Sequence, residues 1–345
     1  MKLPMLIALI ISIAITLIIL YFTIDAQTIA YFKSGKIRYD YFLAAICVNI
    51  VYFFIWGLRL QILSNATDKT VHIGFIESTK IVFANLFLAD ITPSMAGGEP
   101  VRVYLLKKDG LSYGSATAAV LGERLLDAIF LLLCVPFGFY VFSRHLNNAM
   151  IQIGLSFAVF IFILVFVVFI ISLRYPEKIK HLLFRIATKL QRFSRKKTSK
   201  YKLMNRISDE IDSFHQSMMF FIKEGKKTFF LAGIVTAIFW ITGWIIPILL
   251  LLGLGLPPSI IASCAAQILL IVIVMMPTTP GSSGVSEGVL AALYGVFVPA
   301  SLLGVFILFF RLITYYMGLI IGAIFQYRIF NHVASFSMDM IEQEK

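Results

Sequence analysis

Long apolar runs constrain this chain more than any other feature of its sequence. Several of them reach the ~20 residues that a helix needs to cross the hydrocarbon core of a bilayer. Hydrophobic residues make up 59% of the chain and charged residues 14%, against roughly half and a quarter in soluble domains. The sequence therefore predicts one all-α integral membrane domain with several transmembrane helices.

Six full transmembrane helices are expected, at about Leu3–Thr23, Tyr41–Leu63, Ser115–Phe142, Ile151–Leu173, Thr228–Leu252 and Ala300–Phe325. Shorter helical segments are expected at about Phe75–Ile91, Pro100–Lys108, Ser259–Met276 and Val285–Val296. The first run is interpreted as a retained anchor helix, because it is long for a signal peptide and a poor cleavage site follows it.

One motif occurs twice, each time after a short apolar segment. It reads TPSMAGGEPVR at Thr92–Arg102 and TPGSSGVSEG at Thr279–Gly288, so each copy holds Thr-Pro, small flexible residues and one carboxylate. An arginine follows each carboxylate, 25 residues after Glu99 and 24 residues after Glu287. These spacings predict an internal repeat. The expected tips of the two motifs are Thr92, Pro93, Gly97, Gly98, Thr279, Pro280, Gly281 and Gly284.

The segment Arg174–Lys227 carries most of the net charge of +12, with 15 Lys/Arg and 5 Asp/Glu. The positive-inside rule places such a loop in the cytoplasm. Its apolar residues recur at helical spacing, which predicts amphipathic helices. Their basic faces would bind anionic lipid headgroups, or the helices would pack on the protein itself. Calmodulin or nucleic-acid binding has no other support, and no nucleic-acid partner is expected.

The loop also fixes the expected topology. Counting back, the first motif begins and ends inside; counting forward, the second begins and ends outside. Two re-entrant helical hairpins entering from opposite faces satisfy this, with both termini cytoplasmic and the protein in the plasma membrane. The expected units are residues 3–40 (anchor and outer loop), 41–142 (repeat 1, hairpin about 75–108), 143–227 (linking helix and basic loop), 228–325 (repeat 2, hairpin about 259–297) and 326–345 (cytoplasmic tail). Broken helices at corresponding places in inverted halves point to a transport site near the midplane.

The charged residues inside or beside the apolar segments are Glu99, Glu123, Arg124, Asp127, Glu287 and Arg311. Charge there costs about 2.5–3.5 kcal/mol per residue on insertion scales, so these side chains are expected to pair or to line a cavity. In one interpretation the two arginines hold a phosphate, while Glu99 and Glu287 bind a proton or a cation. In the other, they are fixed ion pairs between hairpin and span. The second is favoured for Glu123 and Asp127, and the first for Glu287 and Arg311; the two are balanced for Glu99 and Arg124.

Four further polar residues have expected roles. Arg59 and Arg102 lie nearer the cytoplasmic ends and are expected to extend to the lipid headgroups. Asp90 is a candidate helix cap beside the first break, and Gln267 a candidate interhelical hydrogen-bond donor.

Motifs of common enzymes are missing from the sequence. It contains no G-x-x-x-x-G-K-[ST], H-E-x-x-H, C-x-x-C or G-x-S-x-G, so ATP-driven pumping and the corresponding hydrolases are not expected. The five histidines have no metal-ligand spacing. No bound cofactor or metal is expected, and coupling to a proton or a monovalent cation stays open.

The combination of motifs resembles a known family. TPSMAGGEP at 92–100, GERLLD at 122–127 and P-x-x-P-G-x-x-G-x-x-E at 277–287 are similar to the transmembrane region of lysylphosphatidylglycerol synthases, which also occurs as standalone flippase-like proteins. The resemblance covers about Leu3–Phe330. It implies movement of an aminoacylated lipid between leaflets. In two-domain relatives a cytosolic domain makes that lipid; the present sequence lacks it, so aminoacylation is not expected. Relatives fused to glycosyltransferases imply polyprenyl-linked substrates, which leaves the lipid class open. The motif residues fall on Glu99, Glu123, Arg124, Glu287 and Arg311.

The resulting hypothesis is a lipid translocase for a phospholipid or polyprenyl-linked lipid with a polar, anionic or aminoacylated headgroup. Two alternatives stay open: an intramembrane lipid-modifying enzyme, and a non-transporting partner of a separate lipid synthase or glycosyltransferase. Membrane lipids are the expected partners, and the sequence leaves the oligomeric state open.

Overall fold

A computed structural model of the chain describes residues 36–91, 97–143, 225–274 and 284–325 without a break. It also describes residues 31 and 282 and isolated positions between 153 and 221. Within this described part there are helices and turns but no strand. Four of the described helices are long and apolar enough to cross a membrane: Tyr39–Thr67, Tyr113–Phe142, Lys226–Gly253 and Ala300–Phe325. The prediction of a helical membrane protein is confirmed.

The helices follow the same order in both halves: long, short, short, long. In the first half they are α1 (Tyr39–Thr67), α2 (Phe75–Ile91), α3 (Gly98–Lys108) and α4 (Tyr113–Ser143). In the second half they are α5 (Lys226–Gly253), α6 (Ile260–Val274), α7 (Val285–Tyr294) and α8 (Ala300–Arg311). A π-helical turn, Leu312–Tyr316, follows α8, and the helix then continues to residue 325. We call α8 with this continuation the last span.

Several sequence predictions lie outside the described residues. They are the anchor helix Leu3–Thr23, the tail 326–345, and the tip residues Thr92, Pro93, Thr279, Pro280 and Gly281. Only isolated positions are described in the expected helix Ile151–Leu173 and in the basic loop. The helices that are described begin and end within a few residues of their predicted bounds.

The two first spans, α1 and α5, pack along each other. Tyr52 of α1 stacks on Phe239 of α5, with 4.1 Å between the ring centroids. On their outer faces both helices expose large apolar side chains, such as Leu43 and Phe230. A helix that is apolar all round is suited to contact with protein on one side and lipid on the other.

The short helices form two packed pairs, α2 with α3 and α6 with α7. A Cβ at Gly98 would collide with Asn85 and lie 2.9 Å from the Cβ of Ala89, so α3 starts in close contact with α2 only because residue 98 is glycine. In the second pair Gln267 Nε2 donates to the Tyr294 hydroxyl at 2.8 Å, which confirms the predicted interhelical hydrogen bond.

Each pair of short helices also packs on the last helix of the other half. α6 lies against α4, where a Cβ at Gly138 would come within 3.2 Å of Ile268. The last span lies against α2, where a Cβ at Gly322 would collide with the backbone nitrogen of Phe87. Small residues allow this close approach of helices. The packing therefore joins the halves reciprocally and places residues from each half at the charged groups of the other.

Candidate functional site

The first charged group is centred on Arg59, which projects from α1 toward α4. Its Nε lies 3.1 Å from Glu123 Oε1, and its Nη1 lies 2.6 Å from Asp127 Oδ1. The four-residue spacing of Glu123 and Asp127 puts both carboxylates on one face of α4, where one guanidinium reaches both. All three side chains are about 98% buried or more. Arg59 thus holds α1 to α4 by a fixed ion pair.

Arg102 of α3 completes the environment of Glu123. Its Nη1 pairs with Glu123 Oε2, and the indole N–H of Trp56 donates to the same oxygen at 3.4 Å. On the neighbouring carboxylate, Trp240 of α5 donates to Asp127 Oδ1 at 2.9 Å. The expectation that Arg59 and Arg102 extend to lipid headgroups is wrong: they are 1% and 0% exposed. The packing of α1 and α3 against α4 encloses both, and carboxylates inside the protein neutralise them.

Glu99 and Arg124 form the more open part of this group. Arg124 Nε donates to Glu99 Oε1 at 2.5 Å, and Arg124 Nη1 lies 3.7 Å from Asp127 Oδ2. The Glu99 and Arg124 side chains keep 30% and 28% of their surface exposed. Three arginines therefore balance three carboxylates, and only one pair of the six is open to a ligand.

The second charged group is the Glu287–Arg311 pair. Arg311 Nε lies 2.8 Å from Glu287 Oε1, and both side chains are more than 90% buried. The other carboxylate oxygen, Oε2, accepts from the Gly284 N–H at 2.7 Å and from the Ser286 hydroxyl at 3.0 Å. A carboxylate that reaches back to the start of its own helix is stabilised by the free N–H groups and the helix dipole. Glu287 therefore fixes the start of α7 to the last span.

Gly284 permits this arrangement because its φ of +85° lies in the left-handed region, where a side chain would be strained. The first half has its counterpart in Glu99, which lies in the first turn of α3 and pairs with Arg124 on the following span. The structure thus brings together each carboxylate and arginine that the repeat relates.

The π-helical turn after Arg311 binds the first half through two hydrogen bonds. Asn49 Nδ2 of α1 donates to the Ile313 carbonyl at 2.7 Å, and the Tyr315 hydroxyl donates to the Asp90 carbonyl at 3.2 Å. Single π-helical turns are frequent at functional sites because they change the direction of side chains within a helix. The Arg311 guanidinium lies 3.9 Å from the centroid of the Tyr315 ring, so Asp90 of the first half lies near the second charged group.

Sequence reasoning missed three contributors to these groups. Trp56 and Trp240 had no local signal beyond being polar-tipped aromatics in apolar runs. Asp90 was interpreted only as a candidate cap, although it is 6% exposed and its Oδ2 has no hydrogen-bond donor. An ionisable residue inside an apolar segment is itself the available signal, but its partner is more than 200 residues away in the chain.

The chemistry available at both groups is the binding of anions. A guanidinium is planar and always charged, and it binds phosphate or carboxylate through two parallel hydrogen bonds. In each half the glutamate occupies the arginine now, so an incoming phosphate would take the place of a carboxylate.

Helices of transmembrane length and charge pairs buried among them define a helical integral membrane protein. The family model described as "Lysylphosphatidylglycerol synthase TM region" matches residues 6–322. The chain belongs to this family, as its motifs predicted.

Three archaeal relatives, each described as a UPF0104 membrane protein, are similar over most of their length. The one from Archaeoglobus fulgidus is 31% identical over 92% of this chain and 94% of its own. The one from Pyrococcus horikoshii is 26% identical over 91% of this chain and 94% of its own. The one from Methanocaldococcus jannaschii is 27% identical over 82% of each chain.

Proposed function

We propose that the protein is a lipid translocase that moves a lipid with an anionic headgroup between the leaflets of the cell membrane. The observation that carries the proposal is the repeated pair: Glu99 with Arg124 at 2.5 Å and Glu287 with Arg311 at 2.8 Å. Each glutamate lies in the first turn of a short helix, and each arginine lies on the following long helix. Membership of a lipid-related family supports the same conclusion.

The short-helix pairs α2–α3 and α6–α7 are proposed to be re-entrant hairpins that enter from opposite faces, with both termini in the cytoplasm. Helices of 11, 10 and 15 residues, as in α3, α7 and α6, are shorter than the ~20 residues of a full crossing. Irregular backbone between such helices is tolerated at membrane depth where protein or a wet cavity receives it. Two opposed hairpins would give a lipid headgroup one polar site facing each leaflet.

Exchange of partners is the proposed chemistry at each site. The headgroup phosphate binds Arg124 or Arg311 and displaces the glutamate carboxylate. The released glutamate then takes a proton, a monovalent cation or a cationic headgroup, since an unpaired carboxylate in this environment is costly. The acyl or prenyl tail stays among the apolar side chains that the long helices expose.

The Glu99–Arg124 pair is the proposed point of entry, because its side chains are the accessible ones in the first group. Glu123 and Asp127 are assigned to the framework, because Arg59, Arg102 and Trp240 hold them. Anionic lipid bound at the basic loop, and a lipid synthase or glycosyltransferase encoded separately, are proposed as partners of the translocase.

Mass spectrometry of the lipids retained by the purified protein tests the assignment. The Glu287→Gln/Arg311→Ala variant is compared with the wild type and with Asp40→Asn/Arg38→Ala. The control removes an ion pair of 3.1 Å whose side chains are more than half exposed. We expect one anionic or aminoacylated lipid to be enriched over the bulk membrane, lost in the first variant and kept in the control.

A lipid profile that matches the bulk membrane and is the same in all three proteins would contradict the proposal. It would make Glu287 and Arg311 a fixed ion pair and favour a non-transporting partner of a lipid synthase. Chemical conversion of the retained lipid in micelles, which have no two leaflets, would instead indicate a lipid-modifying enzyme.

A further inference from the structure

We propose that Asp90 is a proton-binding site coupled to Arg311, so that a proton and an anionic headgroup bind the protein together. The inference rests on the proposed function for the identity of the anion. It adds the residue that carries the proton, which the repeated motif does not contain.

The surroundings of the Asp90 carboxyl are the first step. The side chain is 6% exposed, and its Oδ2 has no hydrogen-bond partner. A Cβ at Gly318 of the last span would lie 3.2 Å from Oδ2, so packing closes this side of the group. An ionised carboxylate that is buried without donors is costly, and a bound proton removes that cost. The geometry thus suits Asp90 to hold a proton.

The second step is the position of Asp90 next to the second charged group. The Tyr315 hydroxyl bonds to the Asp90 carbonyl, and the Tyr315 ring packs under the Arg311 guanidinium. Arg311 acts electrostatically on the Asp90 carboxyl. One guanidinium therefore acts on two carboxyl groups, Glu287 and Asp90, and the group has one negative charge too many when both are ionised.

Other ionisable groups around Asp90 are accounted for. From α1, the Tyr52 hydroxyl lies within electrostatic range. On α3, Glu99 and Arg102 are engaged by Arg124 and Glu123 respectively. Arg311 is thus the cation that acts on Asp90 from the helices packed around it in the described part of the chain.

Coupling follows from these charges. When a phosphate binds Arg311, it brings a negative charge toward Asp90 and uses part of the guanidinium's field. Both effects favour the neutral form of Asp90, so the anion binds more tightly when the proton is bound. By linkage, the proton also binds more tightly when the anion is bound. Affinity for the anion should therefore fall as pH rises, by about tenfold per pH unit at most for one proton.

Infrared difference spectroscopy of the full chain in nanodiscs tests the proposal. The carbonyl band of a protonated carboxyl group is compared in phosphatidylcholine alone and after addition of phosphatidylglycerol. The wild type should gain intensity in this band with phosphatidylglycerol, and the Asp90→Asn variant should not. Asp109→Asn, which changes a half-exposed carboxyl in the turn after α3, should behave as the wild type does.

Binding of phosphatidylglycerol across pH gives the second readout. The wild type should lose affinity as pH rises, whereas Asp90→Asn, a neutral amide of the same shape, should bind at every pH as the wild type does at low pH. Equal difference spectra and equal pH profiles for the wild type and Asp90→Asn would overturn the proposal. The pH titration of the wild-type band keeps the test decisive if the variant fails to fold, because a band that never titrates also overturns it.

Failure of this inference and failure of the proposed function are distinguishable. Lipid transport with the same pH dependence in the wild type and Asp90→Asn would refute the proton site and leave translocation intact. An Asp90 band that responds to phosphatidylglycerol in a protein that moves no lipid would support the proton site and refute translocation.

Discussion

Arg59 on α1 holds Asp127 on α4 by two hydrogen bonds, from Nη1 at 2.6 Å and from Nη2 at 3.4 Å. The same guanidinium binds Glu123 one turn away and packs against the ring of Phe239, with 4.5 Å to the ring centroid. One side chain thereby connects the first spans of both halves to α4. This framework position explains why the outer Glu99–Arg124 pair can change partners without loss of the fold.

Replacing Arg59 by methionine is expected to destabilise the protein by about 3–5 kcal/mol, because it leaves two buried carboxylates without their main cation. Thermal unfolding in detergent measures the effect. Arg38→Met is the matched control at the start of the same helix, where the ion pair with Asp40 is exposed and worth about 0–1 kcal/mol. Equal melting temperatures for the two variants would contradict the framework role of Arg59.

Trp240→Phe is expected to cost about 1–2 kcal/mol, because it removes the indole N–H that donates to Asp127 Oδ1 at 2.9 Å and leaves a buried acceptor short of a donor. The loss should be smaller than that of Arg59→Met, since the arginine stays on the carboxylate. Unfolding in the same detergent compares the two, and a larger loss for Trp240→Phe would show that ring packing dominates at this position.

Gly322→Ala is expected to destabilise the protein by about 1–3 kcal/mol through overpacking. The new methyl group would collide with the Phe87 backbone and lie 3.0 Å from the Leu86 Cβ, which would push the last span away from α2. Gly288→Ala is the control, since nothing lies within 4 Å of its Cβ position and alanine favours a helix by up to about 1 kcal/mol. If both variants unfold alike, the last span does not pack closely on α2.

The origin of Arg59, Arg102 and Asp90 marks the limit of what the sequence could predict. Length and apolar composition predicted the four described long helices, and the spacing of the repeated motif predicted both glutamate–arginine pairs, because these signals are local or periodic. Arg59 and Arg102 were placed wrongly, because their enclosure depends on how α1 and α3 pack on α4. Asp90 needed its contact with Tyr315, 225 residues away, and no local pattern encodes such a contact.

The Glu99–Arg124 pair allows a test of ligand contact against simple ion pairing. The single variants Glu99→Arg and Arg124→Glu each place like charges together and should lower stability. The double exchange should regain most of that stability, because opposite charges again face each other. It should not regain lipid transport, because the guanidinium would lie on α3 instead of α4. Full recovery of transport in the double variant would show that the pair is purely structural.

The central claim is that the protein moves lipid between leaflets through Arg311. The most direct measurement is the rate at which a fluorescent phosphatidylglycerol crosses the bilayer in proteoliposomes containing the purified full chain. The account predicts flux well above that of protein-free vesicles, lost in Arg311→Ala and kept in Arg38→Ala, with both variants folded. Flux in Arg311→Ala equal to that of the wild type would contradict the role of Arg311, and wild-type flux no higher than that of empty vesicles would contradict translocation of this lipid.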